Sequence, residues 1–591
     1  MGSREYFIER YGNEYIKLIE HLESLITQQE TGYDRFLAVG YEAGIGKSVE
    51  TDRILSEYTN KHGDFGRKFL LVKRFVNDVT RSASCMNDNS TAGIPIALGI
   101  THDNWGEVQK GLVQIEMYPV VIITHSRYFR LSQDPYTREY FERGRHTLII
   151  DEQLELPIYS YSEQLYREMM GFLPSRKLQA GLLKVSEGLA NEITGLQLNK
   201  DPNRIFKARP QVDLELVKEF EADFNANYHH FKKESNRSKV DNFVKFLHCC
   251  IDSNECLFNN GRLATYNRKA VRWKLSNNLI LDANAGIDRR YFYAPDIVVE
   301  CPPKIIDHSD TTLYQVDFNT SKNSINSYGK SFFSKVCKLI TDRLGTDDKT
   351  LIVTHYPHES QTINCLKELG HSNIGIGDKY ADEKIAVAHF GAIIGQNYWR
   401  DFNKVWVIAT PNFPYEVYPL QWIFFKGSPI RTHKLTMGKT TQGYSFHYAE
   451  FEDIRQGSVP SEIYQAIMRI NREGRLKSEI YVVNDKLDVV KKVIQQLKNV
   501  KVGETIQLDV KKPKDENVPQ KDTKASKFVN CIKGLSPGKY HKSYIYEKLG
   551  WKNDGHISDY LKDDEIAKMY AAGLIDWNQH YIIINPRTVA K

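Results

Sequence analysis

The sequence lacks any long apolar run. Its apolar stretches, such as residues 119–123, stay far below the roughly 18 residues that a membrane-spanning helix needs. The N-terminus, MGSREYF, has no apolar signal core, and Tyr6 stands where an N-myristoylation signal requires Ser or Thr. We therefore expect a cytoplasmic protein that has no membrane partner.

Cysteine and charge of one sign are also scarce. The eight cysteines form no CxxC pair, which excludes a disulfide scaffold and favours a reducing compartment. Lys and Arg number 80 against 74 Asp and Glu, so the net charge of +6 is too small to demand or exclude a nucleic-acid partner. A composition of 41% hydrophobic and 26% charged residues is typical of globular proteins, and 591 residues predict three or more domains.

Short apolar runs alternate with helix-length polar stretches in two regions of the chain, which predicts an α/β fold with doubly wound parallel sheets. The charged, Leu-rich segment 157–260 interrupts the first region and favours a helical insertion. The polar, lysine-rich segment 508–526 is typical of a linker. The predicted divisions are an N-terminal helix (1–30), a first α/β domain (31–300), a second α/β domain (301–507), the linker and a C-terminal domain (527–591).

A glycine-rich segment follows the strand-like run 36–39 and precedes a helical stretch. It contains Glu42, Ala43, Gly44, Ile45, Gly46, Lys47 and Ser48. In such a loop, backbone N–H groups surround phosphates, while Lys47 reaches the β- and γ-phosphates and Ser48 holds Mg²⁺. The strict phosphate-loop pattern requires Gly at position 41, where this chain has Tyr, and Gly40 lies one place early. The strand–loop–helix context nevertheless predicts a nucleotide site with Mg²⁺.

Two carboxylates follow the apolar run 148–150. Asp151 is expected to help hold Mg²⁺, and Glu152 to orient or deprotonate the attacking water. The alternative is a helix N-cap after a strand, where Asp and Glu are common. Because a phosphate loop lies about 100 residues upstream, the catalytic interpretation is favoured.

A third group lies on a helix that is predicted to begin near Pro460. Arg469 and Arg472 are three residues apart, and Gln465 is four residues before Arg469, so all three are expected on one helical face. A solvated basic face is the alternative. In a second α/β region, however, such arginines can reach across an interdomain cleft to the γ-phosphate and act in catalysis.

The order and form of these motifs resemble those of superfamily-2 helicases and translocases, the DEAD/DEAH-like ATPases of phages and mobile elements. Three motifs carry the resemblance: motif I at residues 42–48, motif II at 151–152 and motif VI at 465–472. The resemblance covers residues 30–500. It implies two tandem RecA-like P-loop domains, with ATP and Mg²⁺ between them and nucleic acid across the top.

Looser matches extend the resemblance. A segment that ends at Asn397 looks like motif V and implies nucleotide contacts at Gly395 and Asn397. A strand-end motif implies contacts of Thr124 and His125 with the nucleic-acid backbone. Residues 281–285 look like an altered motif III.

Three features depart from the family pattern. Leu154 replaces the Asp or His of the DEAD and DEAH sequences, a position that couples the ATP site to motif III. Met468 replaces a glycine of motif VI. Between Ser48 and Asp151 the only cysteine is Cys85, so we do not expect the four-cysteine iron–sulfur domain of one related branch.

The C-terminal segment 527–585 is predicted to form helices, a turn at 536–538 and a hairpin from Ile575 to Ile584, an order that resembles a winged helix. Basic residues along one edge favour DNA contact, whereas acidic residues in the candidate recognition helix favour a protein-docking or packing role. They are Lys539, Lys542, Lys548 and Lys552 on the basic side, and Asp559, Asp563, Asp564 and Glu565 on the acidic side. Both alternatives stay open.

The resemblance implies an ATP-dependent helicase or translocase on nucleic acid, with DNA favoured over RNA, in replication, recombination or defence of a mobile element. One alternative is a nucleotide-gated, DNA-binding regulator or scaffold without processive unwinding, which the altered motif III and Leu154 motivate. Another is an RNA helicase, which would share every residue of the ATP site. A protein partner that binds through the C-terminal domain is a further expectation.

Overall fold

The computed structural model describes residues 3–27, 34–63, 66–91, 93–198, 201, 203–253, 255–376, 383–393, 395–396, 398–440, 443–511, 524–551, 560–561 and 564–586. They belong to two compact units, Met1–Lys511 and Lys512–Lys591. Within these residues, no helix is long and apolar enough to cross a bilayer.

The first α/β domain is built on a parallel sheet. The strands before position 301 are β1 (Phe36–Val39), β2 (Lys68–Lys73), β3 (Ala97–Gly99), β4 (Val120–Thr124), β5 (Arg145–Asp151), β6 (Ile158–Ser162), β7 (Phe206–Ala208), β8 (Cys256–Asn259), β9 (Arg262–Tyr266), β10 (Asn277–Leu281) and β11 (Ile297–Glu300). Seven of them form the sheet, in the order β11–β1–β10–β5–β2–β4–β3. Its central strands are almost completely buried, as expected for a parallel sheet that helices cover on both faces.

The carboxyl ends of three central strands coincide. Val39 of β1 pairs with Leu281 of β10, and Leu281 pairs with Asp151 of β5. The glycine-rich loop, the segment after β10 and the two carboxylates therefore leave the sheet at one edge, where open α/β sheets bind their ligands.

Helices pack around this sheet. The helices before position 301 are α1 (Ser3–Thr27), α2 (Lys47–His62), α3 (Val76–Asp88), α4 (Trp105–Gln109), α5 (His125–Gln133), α6 (Pro135–Glu142), α7 (Glu163–Phe172), α8 (Arg176–Gln197), α9 (Leu214–Ala226), α10 (Glu234–Ser253) and α11 (Arg289–Tyr293), of which α7 to α10 belong to the insertion rather than to this sheet. The N-terminal helix α1 bends at Gly12, whose φ is 49°. It buries Phe7, Tyr15 and Leu22 in the same apolar cluster as Val39, so it is part of the core of the first domain.

The segment expected as a helical insertion contains α7 to α10 and three strands, which form an antiparallel sheet with β9, just after position 260, in the order β6–β9–β8–β7. The helices and the sheet share one core, which includes Leu182, Phe243 and Leu263. The sequence did not predict these strands, because they are short and mix polar with apolar residues, as in Ile158–Ser162.

The second α/β domain is built in the same way. Its strands are β12 (Thr311–Asp317), β13 (Thr350–Thr354), β14 (Ile374–Ile376), β15 (Ile385–His389), β16 (Lys404–Val407), β17 (Met437–Thr440), β18 (Gly443–Phe446), β19 (Ser478–Val483), β20 (Lys501–Val502) and β21 (Ile506–Gln507). A parallel sheet runs in the order β14–β15–β13–β16–β19–β12–β20, with β21 also paired to β12, and β17 and β18 form a separate hairpin. Its helices are α12 (Lys322–Tyr328), α13 (Lys330–Asp342), α14 (Glu359–Glu368), α15 (Phe390–Ile393), α16 (Val417–Lys426), α17 (Ala449–Ile467) and α18 (Leu487–Ile494). The predicted fold class, two tandem RecA-like α/β domains, is confirmed.

One helix joins the cores of the two domains. The first half of α17 buries Phe451 and Ile454 in a cluster that also contains Ile150 of the first domain. Its second half buries Ile463 and Ile467 in the core of the second domain. Since α17 leads directly to the predicted catalytic arginines, their position depends on how both domains pack.

The C-terminal unit is small. It contains α19 (Lys524–Lys533), β22 (Gly538–His541), α20 (Lys542–Leu549), α21 (Asp564–Ala571), β23 (Ile575–Trp577) and β24 (Tyr581–Ile584). The three strands form an antiparallel sheet in the order β22–β24–β23, so the predicted hairpin between Ile575 and Ile584 is present. Residues 512–523 of the predicted linker, together with Lys552, Asp559 and Asp563, lie outside the described residues.

Candidate nucleotide site

The glycine-rich loop connects β1 to α2, as predicted. Gly44 and Gly46 have φ values of 94° and 87°, in the left-handed region that favours glycine. Lys47 is the first residue of α2, and its Nζ lies 3.2 Å from the carbonyl oxygen of Glu42. Burial lowers the pKa of Lys47, and the charge of Asp151 opposes this shift. The half-buried lysine thus lies near the Asp151 carboxylate at the carboxyl edge of the sheet.

The departure from the phosphate-loop pattern at position 41 has a packing reason. Tyr41 is buried, and its hydroxyl lies 2.9 Å from Nδ1 of His21 on α1. The aromatic ring therefore fastens the start of the loop to the N-terminal helix. The glycines that the loop geometry requires are retained at positions 44 and 46.

The side chain of Glu42 makes hydrogen bonds within the protein, and its nucleotide contact stays a prediction. Its Oε2 accepts hydrogen bonds from the backbone N–H groups of Ile305, at 2.6 Å, and Ile306, at 3.1 Å. These residues connect β11 with β12 and so link the two domains. The backbone N–H of Ala43 donates to the hydroxyl of Tyr464 at 3.2 Å, a second bond between the loop and the second domain.

Asp151 ends β5 and is almost fully buried. Its Oδ2 accepts a hydrogen bond of 2.8 Å from Nζ of Lys73. Burial alone would raise the pKa of Asp151, but the charge and hydrogen bond of Lys73 outweigh it, and the hydroxyl of Ser48 also lowers this pKa. Ser48 and Asp151, the two predicted Mg²⁺ ligands, are therefore close together.

Glu152 has a strained backbone. Its φ of 71° is in the left-handed region, which a residue with a long side chain seldom adopts, and its N–H donates to the carbonyl of Leu281 at 3.2 Å. Burial and the neighbouring charge of Asp151 raise the pKa of Glu152. No helix begins here, since the described chain continues from Glu152 to β6 without one, so the N-cap interpretation is excluded.

The prediction that Arg469 and Arg472 lie on a helix is wrong. Helix α17 begins at Ala449 rather than near Pro460, and it ends at Ile467, so both arginines follow it in a turn. Asn471, between them, has a φ of 39°, which a continuing helix does not allow.

The turn nevertheless brings the predicted group together. Nη2 of Arg469 donates to Oε1 of Gln465 at 2.9 Å, and its Nη1 donates to the carbonyl of Gln396 at 3.3 Å. Burial, with the charge of Arg472, lowers the pKa of Arg469 to about 9, while the charge of Glu152 opposes the shift. Glu152 likewise opposes the lowering of the Arg472 pKa by burial. Both guanidinium groups thus lie close enough to the Glu152 carboxylate to interact with its charge.

The two nucleotide contacts predicted from the motif V resemblance, Gly395 and Asn397, have different outcomes. Gly395, with a φ of 71°, packs on Phe75 of the first domain, and a β-carbon at position 395 would lie 2.7 Å from the ring atom Cε2. Gly395 is therefore at the interdomain contact, and its nucleotide contact stays a prediction. Asn397 lies outside the described residues.

The predicted nucleic-acid contacts are engaged within the protein. The hydroxyl of Thr124 accepts from the N–H of Arg127 and caps α5. His125 is buried, and its Nε2 lies 3.2 Å from the carbonyl oxygen of Asp151. Burial lowers the pKa of His125 to about 4, so the ring is neutral at physiological pH. The His125 side chain is therefore a buried neighbour of motif II, and the contacts of Thr124 and His125 with nucleic acid stay predictions.

Sequence reasoning missed Lys73, because Asp151, to which its Nζ donates, is 78 residues away in the sequence. The sequence indicated the altered motif III but did not predict its hydrogen bonds. Asp282 receives hydrogen bonds from the Tyr291 hydroxyl, at 3.0 Å, and from the N–H of Asn284, at 2.9 Å. Leu154, in place of the family Asp or His, is buried in the apolar core of the first domain.

The residues present fit a nucleotide with Mg²⁺. Oδ1 of Asp151 is buried and, among the described residues, has no hydrogen bond, and Ser48 is beside the same carboxylate. Carboxylate and hydroxyl oxygens are the hard ligands that Mg²⁺ prefers. Gly46 leaves open space beside Lys47 for phosphate oxygens, since a β-carbon at this position would meet only the Tyr15 hydroxyl at 4.0 Å.

No protein-family model matches the chain, and no curated protein matches it either. Among solved structures, it is similar to Xpd4 of S. tokodaii at 12% identity, over 85% of this chain and 100% of that one, with a TM-score of 0.48. It is similar to S. cerevisiae Dbp5 bound to RNA and ADP BeF3 at 10% identity, over 83% and 90% of the two chains, with a TM-score of 0.38. A DEAD box protein of Methanococcus jannaschii gives 12% identity, 85% and 96% coverage, and a TM-score of 0.29.

Proposed function

We propose that the chain is an ATP-dependent helicase or translocase that acts on nucleic acid. The observation that carries the proposal is the meeting, in one cleft between two RecA-like domains, of the glycine-rich loop, Asp151 with Glu152, and Arg469 with Arg472. Phosphoryl transfer needs little covalent chemistry from a protein but requires cations, a metal ligand and a group that positions water. The cleft contains each of these.

Each residue has a role that follows from its position. Lys47 would bind the β- and γ-phosphates, and Ser48 with Asp151 would hold Mg²⁺, which neutralises charge on those phosphates. Glu152 would orient the attacking water and accept its proton, a task that its raised pKa suits. Arg469 and Arg472 would stabilise the negative charge that develops on the transferred phosphoryl group, and Gln465 holds the Arg469 side chain in place.

The arrangement also offers a route from hydrolysis to movement. The arginines follow α17, whose two halves pack in the cores of different domains. A nucleotide bound between loop and arginines favours the closed cleft, and its hydrolysis removes that preference. Repeated closing and opening of the two domains would advance the protein along a strand.

The finer proposal is that the strand is DNA and that the role is in replication, recombination or defence of a mobile element, in the cytoplasm. It is supported by the motif pattern and, for the compartment, by the eight free cysteines. The C-terminal unit is proposed to be a winged helix, supported by its helices and three-stranded sheet, and it would contact DNA or a protein partner.

The test is the rate of ATP hydrolysis with single- and double-stranded DNA and RNA, for the wild type and for Glu152→Gln. The wild type should be stimulated by polynucleotide, most by DNA, and Glu152→Gln should bind ATP without turning it over. Lys47→Ala and Arg472→Ala should abolish hydrolysis with the fold intact by circular dichroism. Turnover near that of the wild type in either variant would overturn the assignment.

A nucleotide-gated regulator is the second candidate. It is favoured by Leu154, whose buried apolar side chain cannot make the polar link to motif III that Asp or His would make at this position. Hydrolysis that no polynucleotide stimulates, together with nucleotide-dependent DNA binding, would favour this candidate. Stimulation by RNA alone would favour an RNA helicase instead.

A further inference from the structure

Lys73 is a buried cation next to the proposed Mg²⁺ site. It is the last residue of β2, only 2% of its side chain is exposed, and its Nζ lies 2.8 Å from Oδ2 of Asp151. A second carboxylate, Oδ1 of Asp52 on α2, lies 3.5 Å from the same nitrogen. A buried ammonium group is costly unless it is paired, so these contacts define where the side chain must lie.

The cluster is anchored from three elements of the first domain. Oδ2 of Asp52 accepts a hydrogen bond of 2.7 Å from the hydroxyl of Ser82 on α3. Strand β2 is paired with β5, with Val72 opposite Ile150, so Lys73 lies beside the end of the strand that carries Asp151. The position of the ammonium group is therefore set by the fold rather than by a flexible surface side chain.

Only one oxygen of Asp151 is taken by Lys73. Oδ1 is buried and has no hydrogen bond within the part of the chain that the structure describes, and the Ser48 hydroxyl is next to this carboxylate. A carboxylate that is held at one oxygen cannot rotate freely, and its other oxygen keeps a fixed direction. Groups that hold metal ligands in this way typically change metal affinity about 10–100-fold when they are removed.

We propose that Lys73 is a positioning residue for Mg²⁺: its bond to Oδ2 of Asp151 presents Oδ1 to the ion that Ser48 and Asp151 hold. This inference rests on the proposed function, because it assumes a nucleotide with Mg²⁺ in the cleft. A cation beside a carboxylate can also compete with a metal ion, an effect of the opposite sign. The two effects differ in sign and can be separated by experiment.

The experiment measures binding rather than turnover. The affinity for adenylyl imidodiphosphate is determined by calorimetry in EDTA and at increasing Mg²⁺, for the full chain. Lys73→Met alone would leave two buried carboxylates without their cation and would destabilise the fold. The variant of choice is therefore Lys73→Met combined with Asp52→Asn, which removes one positive and one negative charge and keeps the net charge of the cluster. Asp52→Asn alone is the matched control, because it keeps the bond between Lys73 and Asp151.

In the double variant, the Mg²⁺ concentration that gives half of the Mg²⁺-dependent gain in nucleotide affinity should be about ten-fold higher than in the wild type. The nucleotide affinity in EDTA should be the same in both. Asp52→Asn should titrate like the wild type. An unchanged or lower Mg²⁺ requirement in the double variant would overturn the inference, as would an equal shift in Asp52→Asn. Failure of the wild type itself to bind the nucleotide would overturn the proposed function, and this inference with it.

Discussion

The carbonyl oxygen of Arg472 lies 2.2 Å from the position that a β-carbon would take at Gly44. Backbone of the second domain is thus in contact with the phosphate loop of the first, and the contact requires glycine for its space as well as for its φ of 94°. Gly44 is therefore required both for the contact between the domains and for the backbone conformation of the loop.

Gly44→Ala should therefore hold the cleft open. The added methyl group cannot approach the Arg472 carbonyl, so the two domains should separate in the absence of nucleotide. The measurement is the distance between fluorophores placed on the two α/β domains. Gly46→Ala is the control, because its φ of 87° brings similar strain but its β-carbon would meet nothing closer than the Tyr15 hydroxyl at 4.0 Å. Equal distances in the two variants would contradict the prediction.

Glu42→Ala should destabilise the connection between the domains. It removes the oxygen that accepts from the N–H groups of Ile305 and Ile306, and a buried N–H without a partner costs about 1–3 kcal/mol. The melting temperature should fall by several degrees. Glu42→Gln keeps an amide oxygen for the same bonds and should melt close to the wild type. If the glutamine variant melts as low as the alanine variant, loss of the hydrogen bonds to Ile305 and Ile306 is not the cause of the lower melting temperature.

The parts of the site that could be predicted are those that a local pattern determines. Lys47 and Asp151 each follow a short apolar run, and parallel strands bring such ends to one edge of a sheet. The turn that carries Arg469 could not be predicted, because the left-handed Asn471 interrupts a sequence with good helical spacing. The role of Lys73 could not be predicted for a different reason, since its partner Asp151 is 78 residues away in the sequence.

The burial of His125 illustrates the same limit. A histidine at a strand end suits a nucleic-acid contact and a buried hydrogen bond equally well in the sequence. Only the tertiary fold decides between them, because it places Nε2 of His125, at the start of α5, 3.2 Å from the Asp151 carbonyl oxygen. Local residue type indicates that an edge is functional, whereas tertiary packing determines which side chains remain available.

Pro460→Ala should make α17 stiffer. Proline inside a helix removes one backbone hydrogen bond, and here it lies between the half that packs in the first domain and the half that packs in the second. The alanine variant should melt at a higher temperature but show less stimulation of ATP hydrolysis by polynucleotide. Ser461→Ala, which removes a buried hydroxyl next to it, is the control for stability alone. Unchanged stimulation in Pro460→Ala would mean that α17 does not bend during the cycle.

Asp282→Asn should stabilise the protein at neutral pH and above. Burial, with the charge of Asp288, raises the pKa of Asp282 to about 6, so the folded state holds this proton more tightly than the unfolded chain does. The folded state therefore loses stability through Asp282 as the pH rises from about 4 to about 6, and the loss is complete above that range. Asparagine carries no such charge, and its oxygen can still accept from the Asn284 N–H. The difference in melting temperature between Asp282→Asn and the wild type should thus be small at pH 4, widen up to about pH 6 and then stay constant. A difference that does not vary with pH would show that the pKa of Asp282 is the same in the folded and the unfolded chain, which would contradict the prediction.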